Sequence, residues 1–268
     1  MDEFVEKMAA LRDAIKTKRP LVHHLTNYVT AGYCADMALT IGASPVMADE
    51  LSEMADMTTK ADALVINLGT INQTKFGSML KAVEVANCEH IPVVLDPVGV
   101  MATRYRLQAA NLLLESGVNI IRGNLSECSS LLTNQANGRG VDSTVEAAQQ
   151  QGEIAKQVAQ QYNCVCAITG VTDAISDGKT IIFAHNGDAM LSNITGSGCM
   201  TTTLIGAAMG TTDNYLAAAV FGITAMNIAG ERAAKSCKGP GSFRMQLVDE
   251  IYQLTAYDIA TYFKGEKL

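Results

Sequence analysis

Short, continuous runs of β-branched and aliphatic residues recur along this chain, at Ser44 to Ala48, Ala63 to Asn67, Pro92 to Asp96, Val118 to Ile121, Cys164 to Thr169 and Thr180 to Ala184. A strand with one face in water alternates apolar and polar residues, whereas a run that is apolar throughout has to be covered on both faces. The intervening segments, near 30 to 41, 72 to 89, 103 to 116 and 143 to 161, have the spacing and length of crossover helices. This alternation restricts the chain to an α/β fold, with a largely parallel central sheet flanked by helices on both faces and right-handed βαβ units. After Gly198 the pattern turns helical almost throughout, over Cys199 to Met209, Asn214 to Lys235 and Ser242 to Tyr262, giving a helical C-terminal third. No linker rich in Pro or Ser divides the 268 residues, so residues 1 to 268 read as a single domain.

Composition narrows the function. The chain is 48% hydrophobic but 5% aromatic and has no Trp, which suits aliphatic helices packed closely on a sheet. A formal charge of -7 and the lack of a clustered Lys/Arg run exclude a nucleic-acid footprint, since phosphate neutralisation needs a dense basic face. An anionic ligand therefore has to be attracted locally, by a helix N-terminus or a divalent cation. The longest apolar stretch, Leu216 to Gly230, is shorter than the roughly 20 residues of a membrane span, carries Thr224 and Asn227, and reads as a buried helix, so no membrane partner is expected. Seven cysteines form no CxxC pair, no Cys/His zinc spacing and no dense framework, as in a reducing compartment. The N-terminal segment is charged and amphipathic, with no apolar core of a secretory signal, and the expectation is a cytoplasmic protein.

In an open α/β sheet, ligands sit outside the carboxyl ends of the strands. The strongest local signal is Ile194-Thr195-Gly196-Ser197-Gly198-Cys199-Met200, a Gly-rich turn opening into a helix. Glycines let the backbone approach an anion, and the free N–H groups of the first helical turn point at it. A tight turn that packs the helix on the sheet would look the same. The pattern is neither a phosphate loop ending in Lys-Ser/Thr nor the GxGxxG of a dinucleotide fold. Cys199 stands in that first turn, where a helix dipole lowers a thiol pKa and favours the thiolate, although a lone cysteine is otherwise a small buried apolar group. Asp96 ends an apolar strand before Pro97-Val98-Gly99, where a carboxylate can hold Mg²⁺ or its waters. Arg122-Gly123-Asn124-Leu125-Ser126-Glu127 couples a strand end to a helix start, with Glu127 in the spacing of a capping box, an arrangement that needs no function. Asp96 and Glu127 together suggest a shared metal and phosphate site. His23-His24 fall in an irregular stretch and read as polar packing rather than zinc ligands. Asp173, Asp177 and Gly178 read as a hairpin turn between the runs at 164 to 169 and 180 to 184.

Thr26-Asn27-Tyr28-Val29, Gly42-Ala43-Ser44-Pro45-Val46-Met47, Leu95-Asp96-Pro97-Val98-Gly99-Val100, Arg122 to Glu127, Thr195 to Met200 and Gly239-Pro240-Gly241-Ser242-Phe243 occur in this order. From about Pro20 to about Leu254 the chain resembles the hydroxyethylthiazole kinases. That resemblance implies a ribokinase-like fold, transfer of the ATP γ-phosphate to 4-methyl-5-(2-hydroxyethyl)thiazole, Mg²⁺ dependence, and a homotrimer with sites between subunits. By position it implies that Asn27, Val29, Met47 and Gly69 line the thiazole pocket and that Arg122 and Thr169 contact the nucleotide phosphates. Asp96 and Glu127 would organise Mg²⁺, and Gly196, Ser197, Gly198 and Cys199 would form the anion hole. Cys199 stands where most ribokinase-like kinases carry an aspartate base, and base and positioner remain alternative roles. The sequence departs from the family pattern at Ser197, usually Thr, at Asp36, usually Asn, and at Met101, usually Gly; the last two are expected to alter the local pocket.

Rival readings are a ribokinase-like kinase of another alcohol, of hydroxymethylpyrimidine or pyridoxal type, an ADP-dependent hydrate dehydratase, and a non-catalytic binding protein. The Thr26 to Val29 segment, Met47 and the Cys at 199 separate the first two from a thiazole kinase.

Overall fold

The structure is a computed structural model that describes residues 1–135 and 145–268. The chain starts with α1 (Asp2–Lys18), β1 (Leu21–Leu25), α2 (Ala31–Ile41) and β2 (Ser44–Val46), followed by the short α3 (Met54–Thr58). Strand and helix then alternate through β3 (Ala63–Asn67), α4 (Gln73–Cys88), β4 (Val93–Asp96), α5 (Arg104–Glu115), β5 (Ile120–Asn124), α6 (Leu125–Thr133), α7 (Val145–Tyr162) and β6 (Val165–Thr169). Two further strands, β7 (Asp173–Ser176) and β8 (Ile181–Ala184), precede α8 (Ser197–Met209), α9 (Tyr215–Ala234), α10 (Pro240–Gln253), α11 (Ala256–Tyr262) and β9 (Gly265–Lys267).

Among the described residues the strands form one sheet in the order β2-β1-β3-β4-β5-β6-β7-β8-β9. Pairing is parallel from β2 to β6 and antiparallel from β6 onward. The continuously apolar runs are explained by cover on both faces: Ala63 and Val65 of β3 enter a core with α1, α2, α8 and α9, while Leu64 and Ile66 enter a second core with α4, α5 and α7. This α/β architecture is the one expected.

Several boundaries differ from the sequence reading. The stretch holding His23 and His24 is strand β1, not irregular, and both rings are buried. His23 bonds Thr58 Oγ1 and the Ala48 carbonyl, which lets its imidazole occupy an inner strand, while His24 meets the Val22 carbonyl through Nδ1 and keeps Nε2 without a partner among the described residues. Burial lowers the pKa of both, that of His24 to about 4. Asp173 is not in a turn. It opens β7, a strand too short and too polar at its ends to stand out, and the hairpin turn lies at Asp177-Gly178 between β7 and β8. The helix expected over Ser242 to Tyr262 is broken: Thr255 and Asp258 form a capping box that starts α11 afresh. Of the helix expected over 143 to 161, residues 143 and 144 lie outside the described residues. Leu216 to Gly230 sits inside α9 and is buried for most of its length, and no described helix is long and apolar enough to cross a membrane.

Arg12 of α1 is an unusual core member. Its side chain is buried and donates to the carbonyls of Leu254 (2.7 Å), Ile41 (2.8 Å) and Tyr252 (3.3 Å), which caps the ends of α2 and α10 from inside the protein.

Candidate active site

Parallel strands deliver their polar end residues to one edge of the sheet. Asn67 ends β3, Asp96 ends β4, and the two are direct register partners. Asn67 Nδ2 donates to Asp96 Oδ2 at 2.8 Å, and Thr202 of α8 donates its hydroxyl to the same oxygen at 2.9 Å. Asn27, in the loop after β1, donates to Asn67 Oδ1 at 3.0 Å, and that oxygen also accepts the Gly69 N–H at 2.9 Å. Both amides reach Cys199: Asn27 Nδ2 lies 3.4 Å and Asn67 Nδ2 3.3 Å from its Sγ. Three strand ends and the first turns of α8 are thereby knitted around one carboxylate.

Asp96 is fully buried, and its second oxygen, Oδ1, has no hydrogen-bond partner among the described residues. Burial, partly offset by the nearby Arg122, raises its pKa to about 6. The Arg122 guanidinium lies 3.7 Å from Asp96 Oδ2, and its other terminal nitrogen donates to Thr169 Oγ1 at the end of β6. Glu127 is committed to structure: Oε2 accepts the Asn124 N–H in a capping box, and Oε1 accepts the Gly99 N–H, both at 2.9 Å.

The glycine-rich turn does what its spacing suggests. Gly196 adopts φ +88°, a left-handed conformation, and a Cβ there would strike Thr30. The first helical bond of α8 runs from Met200 N–H to Gly196 carbonyl, so the N–H groups of Ser197, Gly198 and Cys199 precede the helical ladder. Gly198 packs directly beneath the Arg122 guanidinium, leaving no room for a side chain. A cation and an open helix N-terminus therefore face one spot, an arrangement that binds phosphate groups.

Beside that spot opens a cavity of about 550 Å³, lined by Arg122, Thr169, Ser197, Gly198 and Thr201 and extending to Asn186, Leu191, Met226 and Asn227. Val29 is exposed in the turn before α2, and Met47 stands half-buried just past β2. Arg244 of α10 stacks on Tyr33 at 4.0 Å and donates to the Thr195 carbonyl, which connects the Gly239 to Phe243 segment to the turn ahead of α8.

One expectation is corrected here. Cys199 does lie in the first turn of α8, but burial, followed by the Asp96 carboxylate, raises its pKa, so the thiol keeps its proton and the dipole argument fails. Asp36 lies on the exposed face of α2. The geometry also adds Asn67 and Thr202, which sequence reasoning missed as site residues. For Asn67 a signal existed: Ala-Leu-Val-Ile-Asn and Val-Val-Leu-Asp are both apolar strands ending on a polar residue. Thr202, one threonine among three in a row, carried none.

A family model described as the hydroxyethylthiazole kinase family matches residues 13–257. A hydroxyethylthiazole kinase of Thermoanaerobacter pseudethanolicus is 46% identical over 244 residues, covering 90% of this chain and 92% of that protein. The solved structure of a hydroxyethylthiazole kinase from Pyrococcus horikoshii superposes with a TM-score of 0.91 at 35% identity, over 98% of this chain and 99% of that one. A Bacillus subtilis pyridoxal kinase structure in complex with ADP matches with a TM-score of 0.58 at 15% identity, over 78% of this chain and 91% of that chain, a likeness of fold alone.

Proposed function

The chain belongs to the hydroxyethylthiazole kinase family, and from that membership we propose that it transfers the γ-phosphoryl group of ATP to the hydroxyl of 4-methyl-5-(2-hydroxyethyl)thiazole, a step in making or salvaging thiamine. The observation that carries the reading is the convergence of Arg122 and the open N-terminus of α8 at one mouth of the cavity, with the buried Asp96 carboxylate 3.7 Å from the Arg122 guanidinium. Phosphoryl transfer passes through a loose transition state whose demands are in-line positioning and neutralisation of charge on the equatorial oxygens. Arg122, fixed by Thr169 and Asp96, and the N–H groups of Ser197 to Cys199 supply that neutralisation without reorganising.

The acceptor alcohol lies on the Asn27, Val29, Met47 and Gly69 side, its hydroxyl near Cys199. Its oxygen attacks the γ-phosphorus, the bond to the β–γ bridging oxygen breaks, and ADP leaves. Cys199, protonated and held by Asn27 and Asn67, positions the hydroxyl rather than deprotonating it. In a loose transition state the hydroxyl proton departs late, to the transferred phosphate or to solvent, so a strong base is dispensable.

Mg²⁺ fits the residues present. Asp96 offers a buried carboxylate oxygen without a partner, and Glu127, both of whose oxygens accept backbone N–H groups, adds negative charge nearby. Mg²⁺ keeps several waters and shares substrate phosphates, so one or two carboxylates are enough to place it. When bound, the ion would neutralise phosphate charge. The exposed Tyr28 and Val29, next along the chain from Asn27, suit a homotrimer with sites between subunits, and free cysteines throughout the chain suit the cytoplasm.

The test is ADP release from Mg-ATP with the thiazole alcohol, alongside hydroxymethylpyrimidine, pyridoxal and no acceptor. Thiazole-dependent release that disappears with EDTA supports the proposal. Release with another acceptor alone discards the substrate, and no release with any acceptor discards the kinase.

A further inference from the structure

Part of the cavity wall is a buried polar arrangement that the phosphoryl-transfer centre does not use. Asp173 of β7 is buried with both carboxylate oxygens engaged: Oδ1 accepts the Gly170 N–H at 2.9 Å, and Oδ2 accepts the Asn227 amide at 2.6 Å. The same Asn227 Nδ2 donates to the Asn186 carbonyl at 2.9 Å. A backbone carbonyl cannot donate, so the amide nitrogen has to face these acceptors, and the orientation of Asn227 is dictated by its partners. Its oxygen is left without a hydrogen-bond partner among the described residues, on a side chain of a residue that is 9% exposed and lines the cavity.

We propose that Asn227 determines specificity for the nucleoside part of the phosphate donor, its carboxamide oxygen accepting a hydrogen bond from a nucleoside N–H or O–H group. This rests on the reading that the cavity takes a nucleotide. Arg122, Ser197 and Gly198 give the cavity a phosphate-binding mouth, whereas Ile223, Met226 and Asn227 share one face of α9 and present an apolar wall with a single fixed acceptor. Such a wall suits a flat base or the edge of a ribose, and a fixed acceptor rejects a ligand that offers a lone pair there. Asp173 and Asn186, which also line the cavity, act on Asn227 as positioning residues by holding its amide.

The experiment compares ATP, inosine triphosphate, 2′-deoxyATP and 3′-deoxyATP at saturating thiazole alcohol, for the wild type, Asn227→Ala and Asn227→Ser. The wild type is expected to favour ATP over at least one analogue by about three- to tenfold in kcat/KM, the worth of one neutral hydrogen bond. Both variants bring that ratio to about one and raise KM for ATP, while KM for the thiazole alcohol stays within about twofold because the amide faces the nucleotide side. The analogue that regains parity identifies its missing donor, the base amino group or a ribose hydroxyl. Serine keeps a hydroxyl donor at this position and removes the long acceptor, so a change shared by both variants reports recognition. A wild type indifferent to all four nucleotides, or folded variants that keep the wild-type preference, overturn the inference while kinase activity stands. A wild type that releases no thiazole-dependent ADP removes the inference together with the reading beneath it.

Discussion

Gly198→Ala isolates the role of one contact. A Cβ at this position would lie 2.9 Å from Nη2 and 3.0 Å from Cζ of Arg122, nearer than Cβ atoms come to any neighbour in folded proteins. The backbone of Gly198 needs no left-handed conformation, and alanine is the better helix former, so the helix itself is unstrained. What has to move is the end of a long side chain, at little cost in stability. Arg122 then leaves both Thr169 and its station over the first turn of α8, and the site loses one preorganised cationic donor. Removal of a single such donor costs roughly 2.7–4 kcal/mol of transition-state stabilisation, or about 10²–10³ in kcat. ADP release at saturating ATP should fall by that factor. KM for the thiazole alcohol should stay within about threefold, since the acceptor side is untouched, and the melting temperature should move by no more than a few degrees. In an Arg122→Ala background the same substitution should be almost silent, because the partner it displaces is already gone. A kcat within a few-fold of wild type, or losses that multiply in the double variant, would refute the reasoning.

Three other outcomes are expected. Cys199→Asp should retain turnover, as a side chain that positions a hydroxyl can be replaced by another acceptor; complete inactivity in a folded variant counts against that role. Arg12→Met leaves the carbonyls of Leu254, Ile41 and Tyr252 without their donor and should cost about 3 kcal/mol in a denaturant melt, with kcat unaltered. Burial raises the Asp173 pKa from 3.8 to about 6, so the folded chain binds this proton more tightly than the unfolded chain. Its ionisation therefore lowers stability as pH rises through 6, and acidification from pH 7.5 to 4 should stabilise wild type relative to Asp173→Asn by about 2–3 kcal/mol; equal slopes of stability against pH would exclude it.

The parallel core was legible because burial on both faces leaves an unbroken apolar run, and the Gly-rich turn because a left-handed residue beside a helix start has few other spellings. β1 was not, since two adjacent histidines resemble surface residues until the partners that hold them, Thr58 and the Ala48 carbonyl for His23 and the Val22 carbonyl for His24, are known. β7 and β9, four and three residues long, lack the length to show a period. At the site, Asp96, Arg122 and Cys199 were readable as residue types at strand and helix ends. The ionisation of Cys199 was not, because the helix dipole is local and can be read from sequence, whereas the burial and the Asp96 charge that outweigh it come from elsewhere in the chain.

The bonds around Asp96 and Cys199 have a consequence for how the chain folds. Asn27 meets Cys199 across 172 residues and Thr202 meets Asp96 across 106, so no contiguous stretch of the chain carries the centre. Contacts of such separation form late, after the loops between them have been closed at an entropic cost. A half-folded chain can present the α8 turn or Arg122, but the two meet only once β5 and α8 have docked on the same sheet edge. During refolding the return of turnover should therefore trail the burial of the aliphatic core.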